Sequence, residues 1–314
     1  MIDTDTFLTA LYVIVDDICN SPLAGPGAPL PGTPGPDAQL STSEIVTLAM
    51  FAQMRRFSSE RDFYRFADRH LRSAFPGLPD RTRYNRLARA AGDHLSSVAL
   101  CLAEMLGAHQ AIYQAVDTTA APVRDSHRRG NGWFCGVADI GHSNRLGWFE
   151  GFRVLAAADP CGVITGFCCA PASTNDRPMA EAFFALRQCP DHRVNSIGVS
   201  SPDVYLLDKG FNGPKWHDRW RSAYDAQVLC APQSNVRQPW PQRLRRWLSH
   251  HRQIIETVFE KLHNCFRLHC DRPHQLDGFR MRLSAKVALH NFFIWMNRHL
   301  GRNDLAFCDL VELC

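Results

Sequence analysis

A change of sequence pattern near residue 111 limits what this chain can fold into. Beyond that point short strand-like runs alternate with helical ones, and Asp159-Pro160-Cys161-Gly162 supplies a turn between two of the runs. Such alternation builds a mixed sheet flanked by helices, so we predict an α/β fold class here, with a hairpin around that turn. The strand signals lie at 111–116, 152–157, 162–169, 204–207 and 226–230, and the helix signals at 178–187, 214–222, 243–269 and 279–300.

The first 110 residues have a helical pattern. Ser41 and Glu44 form a capping box that predicts a helix start, and residues 21–38 are rich in Pro and Gly, which predicts a loop. Asp80 is placed to cap a helix that carries Arg81, Arg83 and Arg86. This basic helix is compatible with a helix-turn-helix that binds DNA, and equally with an ordinary bundle that has a solvated basic face.

Length and pattern together predict two domains. The chain has 314 residues, more than one compact domain usually holds. We expect an all-helical N-terminal domain at 1–110, an α/β domain at 111–300 and a C-terminal tail at 301–314. The apolar runs are too short to span a membrane, and the acidic N-terminus differs from a secretory signal, so we expect a cytoplasmic protein.

Two predicted strands end at an aspartate. Asp117 follows Val116 and precedes two threonines, and Asp208 follows Leu207 and precedes Lys209-Gly210. Strand ends hold side chains rigidly over a crevice, which is where α/β proteins place their chemistry. Taken singly, each aspartate is more often a turn or cap residue.

A third acid lies on the helix predicted around residues 252–262. Ile255, Val258 and Leu262 follow helical spacing and predict a buried stripe, which puts Glu256 at its margin. Arg252 precedes Glu256 by one helical turn on the same edge, so a surface ion pair is the simplest interpretation of the two.

A functional interpretation requires the three acids to converge. Carboxylate oxygens suit Mg²⁺, for which Mn²⁺ can substitute. Two such ions about 4 Å apart can activate the attacking oxygen and stabilise the leaving one in phosphodiester displacement. This chemistry requires no covalent nucleophile, and the sequence contains no convincing Ser or Cys nucleophile motif.

The ordered set of motifs resembles a known family. Asp117-Thr118-Thr119, Asp208-Lys209-Gly210-Phe211 and the helix with Arg252, Glu256 and Lys261 resemble the catalytic segments of insertion-sequence transposases with an Asp-Asp-Glu triad. Further stretches are similar to insertion-sequence family nine-eight-two, and the similarity covers nearly the whole chain. These stretches are residues 7–17, 78–86, 138–141, 148–153 and 280–291.

The resemblance implies a ribonuclease-H-like catalytic core with two Mg²⁺ ions held by Asp117, Asp208 and Glu256. It implies double-stranded DNA partners, namely terminal inverted repeats and target DNA, with strand cleavage followed by attack of a DNA 3′-hydroxyl. Because transposition joins two ends, we expect a homo-oligomer on DNA. The resemblance also implies phosphate contacts by Arg252, Lys261, Arg153 and Lys209.

Two alternatives stay open from the sequence. One is a ribonuclease-H-like nuclease that cleaves without strand transfer, since it would use the same metal chemistry. The other is a non-catalytic DNA-binding derivative of a transposase that uses its basic helices alone.

Overall fold

The computed structural model divides the chain into two compact units. Unit 1 comprises Met1–Leu102 and Leu262–Cys314, and unit 2 comprises Ala103–Lys261. The structure describes residues 1–21, 40–54, 57–124, 134, 136–188, 201–232, 240–270 and 272–312.

Unit 2 contains a mixed sheet, which confirms the predicted class of fold. Within the described residues the sheet has six strands, with β1 in its middle, antiparallel to β3 on one side and parallel to β5 on the other. Strand β6 continues the parallel part beyond β5, while β2 and β4 both pair with β3 along its other edge. The strands are β1 (Tyr113–Arg124), β2 (Asp139–Ser143), β3 (Gly147–Ala158), β4 (Ile164–Pro171), β5 (Val204–Leu207) and β6 (Val228–Cys230).

The predicted hairpin is the β3–β4 pair. Asp159 closes the turn: its side chain accepts hydrogen bonds from the backbone N–H groups of Cys161 and Val163, at 2.9 and 2.8 Å. Gly162 has a φ of 87°, a left-handed conformation that glycine adopts without strain. Turn chemistry in the sequence therefore determines where these two strands join.

Helices cover the sheet of unit 2. Helix α6 (Asp176–Arg187) and helix α7 (Pro214–Tyr224) bury Phe183, Phe184 and Trp220 against strand residues such as Val116 and Leu207. Removing this apolar surface from water is the main source of stability for the layer. The packed core includes Val116 and Leu207, the residues that directly precede Asp117 and Asp208.

Unit 1 is helical in its described residues. Helix α2 starts at the predicted capping box of Ser41 and Glu44, and Asp80 caps α4 through the backbone N–H groups of Thr82 and Arg83. The C-terminal segment returns to the N-terminus, where Ile2 pairs with Val311. The helices are α1 (Thr4–Asn20), α2 (Thr42–Phe51), α3 (Glu60–His70), α4 (Arg81–Ala90), α5 (Gly92–Met105), which ends in unit 2, and α9 (Leu276–His299).

The boundaries of the units differ from the predicted domain boundaries at 110 and 300. Helix α9 belongs to unit 1, where it packs on α2 and α4, rather than to the α/β part. Its buried residues, such as Phe279, Leu289 and Phe292, lie on several faces, and a helix that is apolar all round needs neighbours on every side. Helix α8 (Gln242–Asn264) crosses the boundary at Leu262.

Two sequence predictions concern other parts of the chain. The Pro- and Gly-rich loop predicted at 21–38 lies, apart from Ser21, outside the described residues. None of the described helices is both long and apolar enough to cross a membrane.

Candidate active site

Asp117 lies within β1, the central strand, which continues to Arg124, so the prediction that a strand ends at Asp117 is wrong. Its Oδ1 accepts a hydrogen bond of 2.7 Å from the backbone N–H of Thr118, and the side chain is only 23% exposed. Burial raises the pKa of Asp117 to about 6, and the nearby carboxylates of Asp208 and Asp176 add to the shift, which the Arg252 guanidinium opposes. Asp117 therefore lies among other acids in a partly dehydrated position.

Arg252 is the cation next to Asp117. It comes from α8, and its Nη2 donates to Oδ2 of Asp117 at 2.7 Å with the arginine side chain 12% exposed. Its Nε is buried and has no hydrogen-bond partner among the described residues. The predicted ion pair of Arg252 with Glu256 is therefore replaced by one with Asp117.

Asp208 directly follows β5, the strand that neighbours β1. Strands β1 and β5 are parallel, and Val116 pairs with Leu207, so each aspartate is the next residue after this pair. Oδ1 of Asp208 accepts from the backbone N–H of Lys209 at 2.5 Å and caps a 3-10 turn, Lys209–Phe211. The register of the sheet therefore places the two predicted aspartates side by side.

Cys230 supports the same strand end. Its thiol donates to the backbone carbonyl of Asp208 at 2.8 Å. Burial raises the pKa of Cys230 to about 12, so the group stays a neutral thiol at physiological pH. A neutral thiol is a poor nucleophile, which agrees with chemistry that does not use cysteine.

Asp176, which sequence reasoning missed, also belongs to this group of acids. It is the first residue of α6, and its Oδ1 accepts from Thr118 Oγ1 at 2.9 Å and from Arg153 Nη1 at 2.7 Å. A Cβ added at Gly210 would lie 3.3 Å from Oδ2 of Asp176, so this acid also borders the turn after Asp208. Its sequence signal was weak, because an acid in the first turn of a helix is common.

Glu256 lies on α8 as predicted, one residue after Ile255. Ile255, Val258 and Leu262 are fully buried, which confirms the apolar stripe, and Glu256 itself is exposed. The structure does not gather Glu256 with the two aspartates. In the described parts of the chain, no three or more His, Cys, Asp or Glu side chains are grouped so that they could hold a metal ion.

The predicted phosphate contacts fall into two sets. In unit 2, Arg252 forms an ion pair with Asp117, and Arg153 forms one with Asp176. Lys209 is exposed beside Asp208, and Lys261 lies further along α8. In unit 1, the predicted basic helix is α4, on which Arg81 and Arg86 are exposed and Arg83 is half-buried. The cations of unit 2 thus include two that already pair with carboxylates.

Comparison with models of protein families identifies the family to which this chain belongs. The family model described as Transposase DDE domain matches residues 110–292, more than half of the chain. The chain belongs to the DDE transposase family. No curated protein and no solved structure matches closely enough to add to that finding. The matched residues include Asp117, Asp208 and Glu256, and members of the family are enzymes that cut and join DNA.

DDE transposases generally use divalent metal ions, and the two aspartates supply some of the ligands that such an ion needs. Asp117 and Asp208 offer oxygen donors of the kind that hard cations prefer, and each lies in the electrostatic field of the other. In this structure Arg252 supplies the compensating positive charge to Asp117. The aspartate pair is therefore suited to a divalent cation, although no three carboxylates among the described residues are grouped so that they could hold one together.

Proposed function

We propose that the chain is the transposase of an insertion sequence of family nine-eight-two. It cleaves DNA at the ends of the element and transfers the resulting 3′-hydroxyl into target DNA. The observation that supports this most directly is the placement of Asp117, within β1, beside Asp208, which directly follows the parallel strand β5, in a chain of the DDE transposase family. The sheet with flanking helices is consistent with a ribonuclease-H-like catalytic domain.

In this proposal Asp117, Asp208 and Glu256 are the metal ligands and the catalytic residues. They would hold two Mg²⁺ ions, with Mn²⁺ as a substitute, and the bound ions supply the charge that activates one oxygen and stabilises the other. Glu256 is exposed on α8 and is not grouped with the two aspartates in a site that could hold a metal, so it would complete the ligand set when metal binds. We expect DNA and metal together to favour that arrangement.

The basic residues then bind DNA phosphates. Arg252, Arg153, Lys209 and Lys261 belong to the catalytic unit and would hold the DNA near the aspartates. The helical N-terminal domain at 1–110 would bind the terminal inverted repeats, with Arg81, Arg83 and Arg86 of α4 facing the DNA. Since two ends are joined, the active form on DNA would be a homo-oligomer.

A strand-transfer assay tests the proposal. The protein is incubated with labelled duplex DNA that carries the element ends, a plasmid target, and Mg²⁺ or Mn²⁺. We expect label joined to the plasmid, and we expect Asp117→Asn, Asp208→Asn and Glu256→Gln each to lose cleavage and joining by at least roughly a thousandfold while end binding is retained.

Two outcomes contradict the proposal. Cleavage without any joined product would indicate a ribonuclease-H-like nuclease, and binding to element ends with no cleavage under either metal would indicate a non-catalytic DNA-binding derivative. Activity retained in any of the three variants would remove that residue from the assigned site. Asp218→Asn, which changes an exposed acid on α7, serves as the matched control.

A further inference from the structure

Helix α3 of unit 1 carries a row of arginines on its exposed face. Arg61, Arg65 and Arg69 follow one another at intervals of four residues, and all three are exposed. Residues four apart lie on the same face of an α-helix, about 6 Å apart along its axis, so the row extends over about 12 Å. The helix buries Phe63 and Ala67 on its opposite face. The arginine row is therefore presented to solvent.

Aromatic packing fixes the position of α3. The ring of Phe63 lies 5.1 Å from that of Phe57 and 6.0 Å from that of Tyr84 on α4, measured between centroids. The hydroxyl of Tyr64 donates a hydrogen bond of 2.8 Å to the carbonyl of Pro79, which lies just before α4. A row of cations on a fixed helix loses less conformational entropy on binding than cations on a mobile segment.

The acids of α3 do not neutralise the row. The helix contains three acids, and each of them is engaged by a group outside the row. Glu60 forms an ion pair with Arg282 of α9, Asp62 accepts hydrogen bonds from Ser58, and Asp68 forms an ion pair with Arg72 at 2.7 Å. Among the residues that the structure describes, no side chain forms an ion pair or a hydrogen bond with the three arginines of the row.

The row costs α3 some of its stability. Like charges four residues apart on a helix repel each other, and Arg65 has such a neighbour on either side. Arg61 also lies in the first turn, where the positive end of the helix dipole disfavours a cation, whereas Arg69 is favoured in the last turn. Helix stability alone therefore does not account for the row. A negatively charged partner lying along it would relieve the repulsion.

Duplex DNA is the anion whose shape suits this row. Guanidinium groups bind phosphate oxygens in a fork geometry. DNA carries one negative charge per about 1.7 Å of its axis, so a row of about 12 Å meets several phosphates at once. A small anion would leave most of the row unoccupied, whereas a linear polyanion can contact all of it.

We propose that Arg61, Arg65 and Arg69 bind the phosphates of duplex DNA and that α3 holds the duplex whatever its base sequence. Contacts to phosphate position a protein on DNA but do not read its bases. The proposal deepens the proposed function and rests on it for the identity of the partner. It gives α3 a role different from that of α4, which is proposed to bind the terminal repeats.

Binding of duplex DNA of random sequence tests the proposal. The full chain is titrated into a labelled duplex in EDTA, and fluorescence anisotropy is measured at several salt concentrations. This assay requires no metal, no element end and no cleavage, so a failed strand-transfer assay would leave its result unaffected. A random duplex that binds normally beside a failed strand transfer would count against the proposed function alone.

Two neutral variants measure the contribution of the row. We expect Arg65→Gln to bind the random duplex roughly tenfold more weakly than the wild type, and the triple variant with Arg61→Gln, Arg65→Gln and Arg69→Gln roughly a hundredfold more weakly. The slope of log K against log salt should become shallower by about 0.9 for each phosphate contact removed. The losses should be the same for a duplex that carries the element ends, because phosphate contacts do not depend on sequence.

Arg65→Glu separates the loss of binding from a loss of fold. The new carboxylate lies four residues from both Arg61 and Arg69, so two repulsive pairs become attractive and the melting temperature should stay the same or rise. DNA affinity should nevertheless fall further than in Arg65→Gln, because a negative charge then faces the phosphates. Arg65→Lys keeps the charge and should keep the salt slope of the wild type.

Arg221→Gln is the matched control. Arg221 is an exposed arginine near the end of α7 in unit 2, so its replacement removes one positive charge without altering α3. Duplex affinity should equal that of the wild type, since charges beyond a Debye length of about 8 Å are largely screened at physiological salt.

Three results would overturn the proposal. The first is that the wild type does not bind the random duplex at any salt concentration. The second is that Arg65→Glu and the triple variant bind it as tightly as the wild type. The third is that Arg221→Gln loses as much affinity as Arg65→Gln, which would make the effect one of net charge rather than of the row.

Discussion

The guanidinium of Arg252 donates a 2.7 Å hydrogen bond to the carboxylate of Asp117, although the two residues lie 135 positions apart in the chain. The bond joins α8 to the central strand β1 and occupies one oxygen of an aspartate that we propose as a metal ligand. A divalent ion and this guanidinium would compete for the same carboxylate. We therefore expect Arg252 to lower the affinity of Asp117 for an ion.

Replacing Arg252 by Gln is expected to strengthen metal binding. The substitution removes a positive charge beside Asp117 and frees Oδ2, so Mn²⁺ should bind several-fold more tightly in the absence of DNA. Electron paramagnetic resonance of free Mn²⁺ measures this directly. Strand cleavage should nevertheless fall by roughly a hundredfold, because the same guanidinium is proposed to bind phosphate.

Arg219→Gln is the control for that measurement. Arg219 forms a comparable ion pair with Glu181 in unit 2, at 2.5 Å, but is 63% exposed and is not bonded to Asp117. Its loss should leave Mn²⁺ affinity unchanged. Equal or weaker Mn²⁺ binding by Arg252→Gln would contradict competition for Asp117.

The raised pKa of Asp117 predicts a pH-dependent stability. Between the ordinary pKa of 3.8 and the folded value of about 6, the folded chain keeps a proton that the unfolded chain has released. The contribution of Asp117 to the free energy of unfolding therefore falls as pH rises through this window. Relative to Asp117→Asn, the wild type should lose up to about 3 kcal/mol, at roughly 1.4 kcal/mol for each pKa unit.

Thermal unfolding in EDTA checks this prediction between pH 4 and pH 7.5. The melting temperature of Asp117→Asn should rise relative to that of the wild type as pH increases. Curves that run parallel across the window would show that Asp117 titrates normally. Asp218→Asn, which also removes an exposed acid from this unit, is the control.

Asp176 is expected to act as a positioning residue. Asp176→Ala removes the acceptor of both Thr118 and Arg153, and Thr118 directly follows Asp117 on β1. Cleavage should fall by roughly tenfold to a hundredfold, the range expected for losing charge-assisted hydrogen bonds. Half-maximal activity should also require more Mn²⁺, an effect that a loss of fold alone would not produce.

Asp176→Asn should restore part of the loss. Its amide oxygen still accepts a hydrogen bond from Thr118 but carries no charge for Arg153. If Asn and Ala variants had the same metal requirement as the wild type, Asp176 would have no positioning role. Asp218→Ala controls for the removal of an acid from unit 2.

Gly151 on β3 is expected to tolerate no side chain. An added Cβ would collide with the backbone of β1, including the carbonyl of Ala121, Pro122 Cα at 2.9 Å and Val123 N at 3.0 Å. Because these are backbone atoms, the strands must separate, and Gly151→Ala should cost about 1–3 kcal/mol of stability. Differential scanning calorimetry measures this loss. Gly92→Ala, where the nearest atom is 3.9 Å away, should change the melting temperature little.

Much of the local structure could be predicted from the chain itself. Three of the predicted features involve only neighbours within a few residues, so the local sequence is enough to predict them. They are the capping box at Ser41, the cap at Asp80 and the turn at Asp159. The prediction that a strand ends at Asp208 is confirmed, whereas β1 continues past Asp117 to Arg124. The proximity of the two aspartates follows from the parallel pairing of β1 with β5.

Other features depend on contacts between separate helices and strands, which a local sequence pattern does not predict. Asp176 was missed because its partners Thr118 and Arg153 lie on two other elements, and helix-start acids are common. Helix α9 was predicted as a helix, but its membership of unit 1 depends on α2 and α4. The hydrogen bond from Lys286 of α9 to Gln53, just after α2, joins residues 233 positions apart in the chain.

The sequence by itself determined most of the segments that are helices and strands, where several of them begin, and that Asp208 follows a strand. Short-range hydrogen bonds and side-chain periodicity encode those properties. Only the tertiary structure decided that Arg252 pairs with Asp117 rather than with Glu256, one helical turn away. The physical reason is that a half-buried carboxylate gains more from a guanidinium than an exposed glutamate does, and burial is a property of the assembled fold.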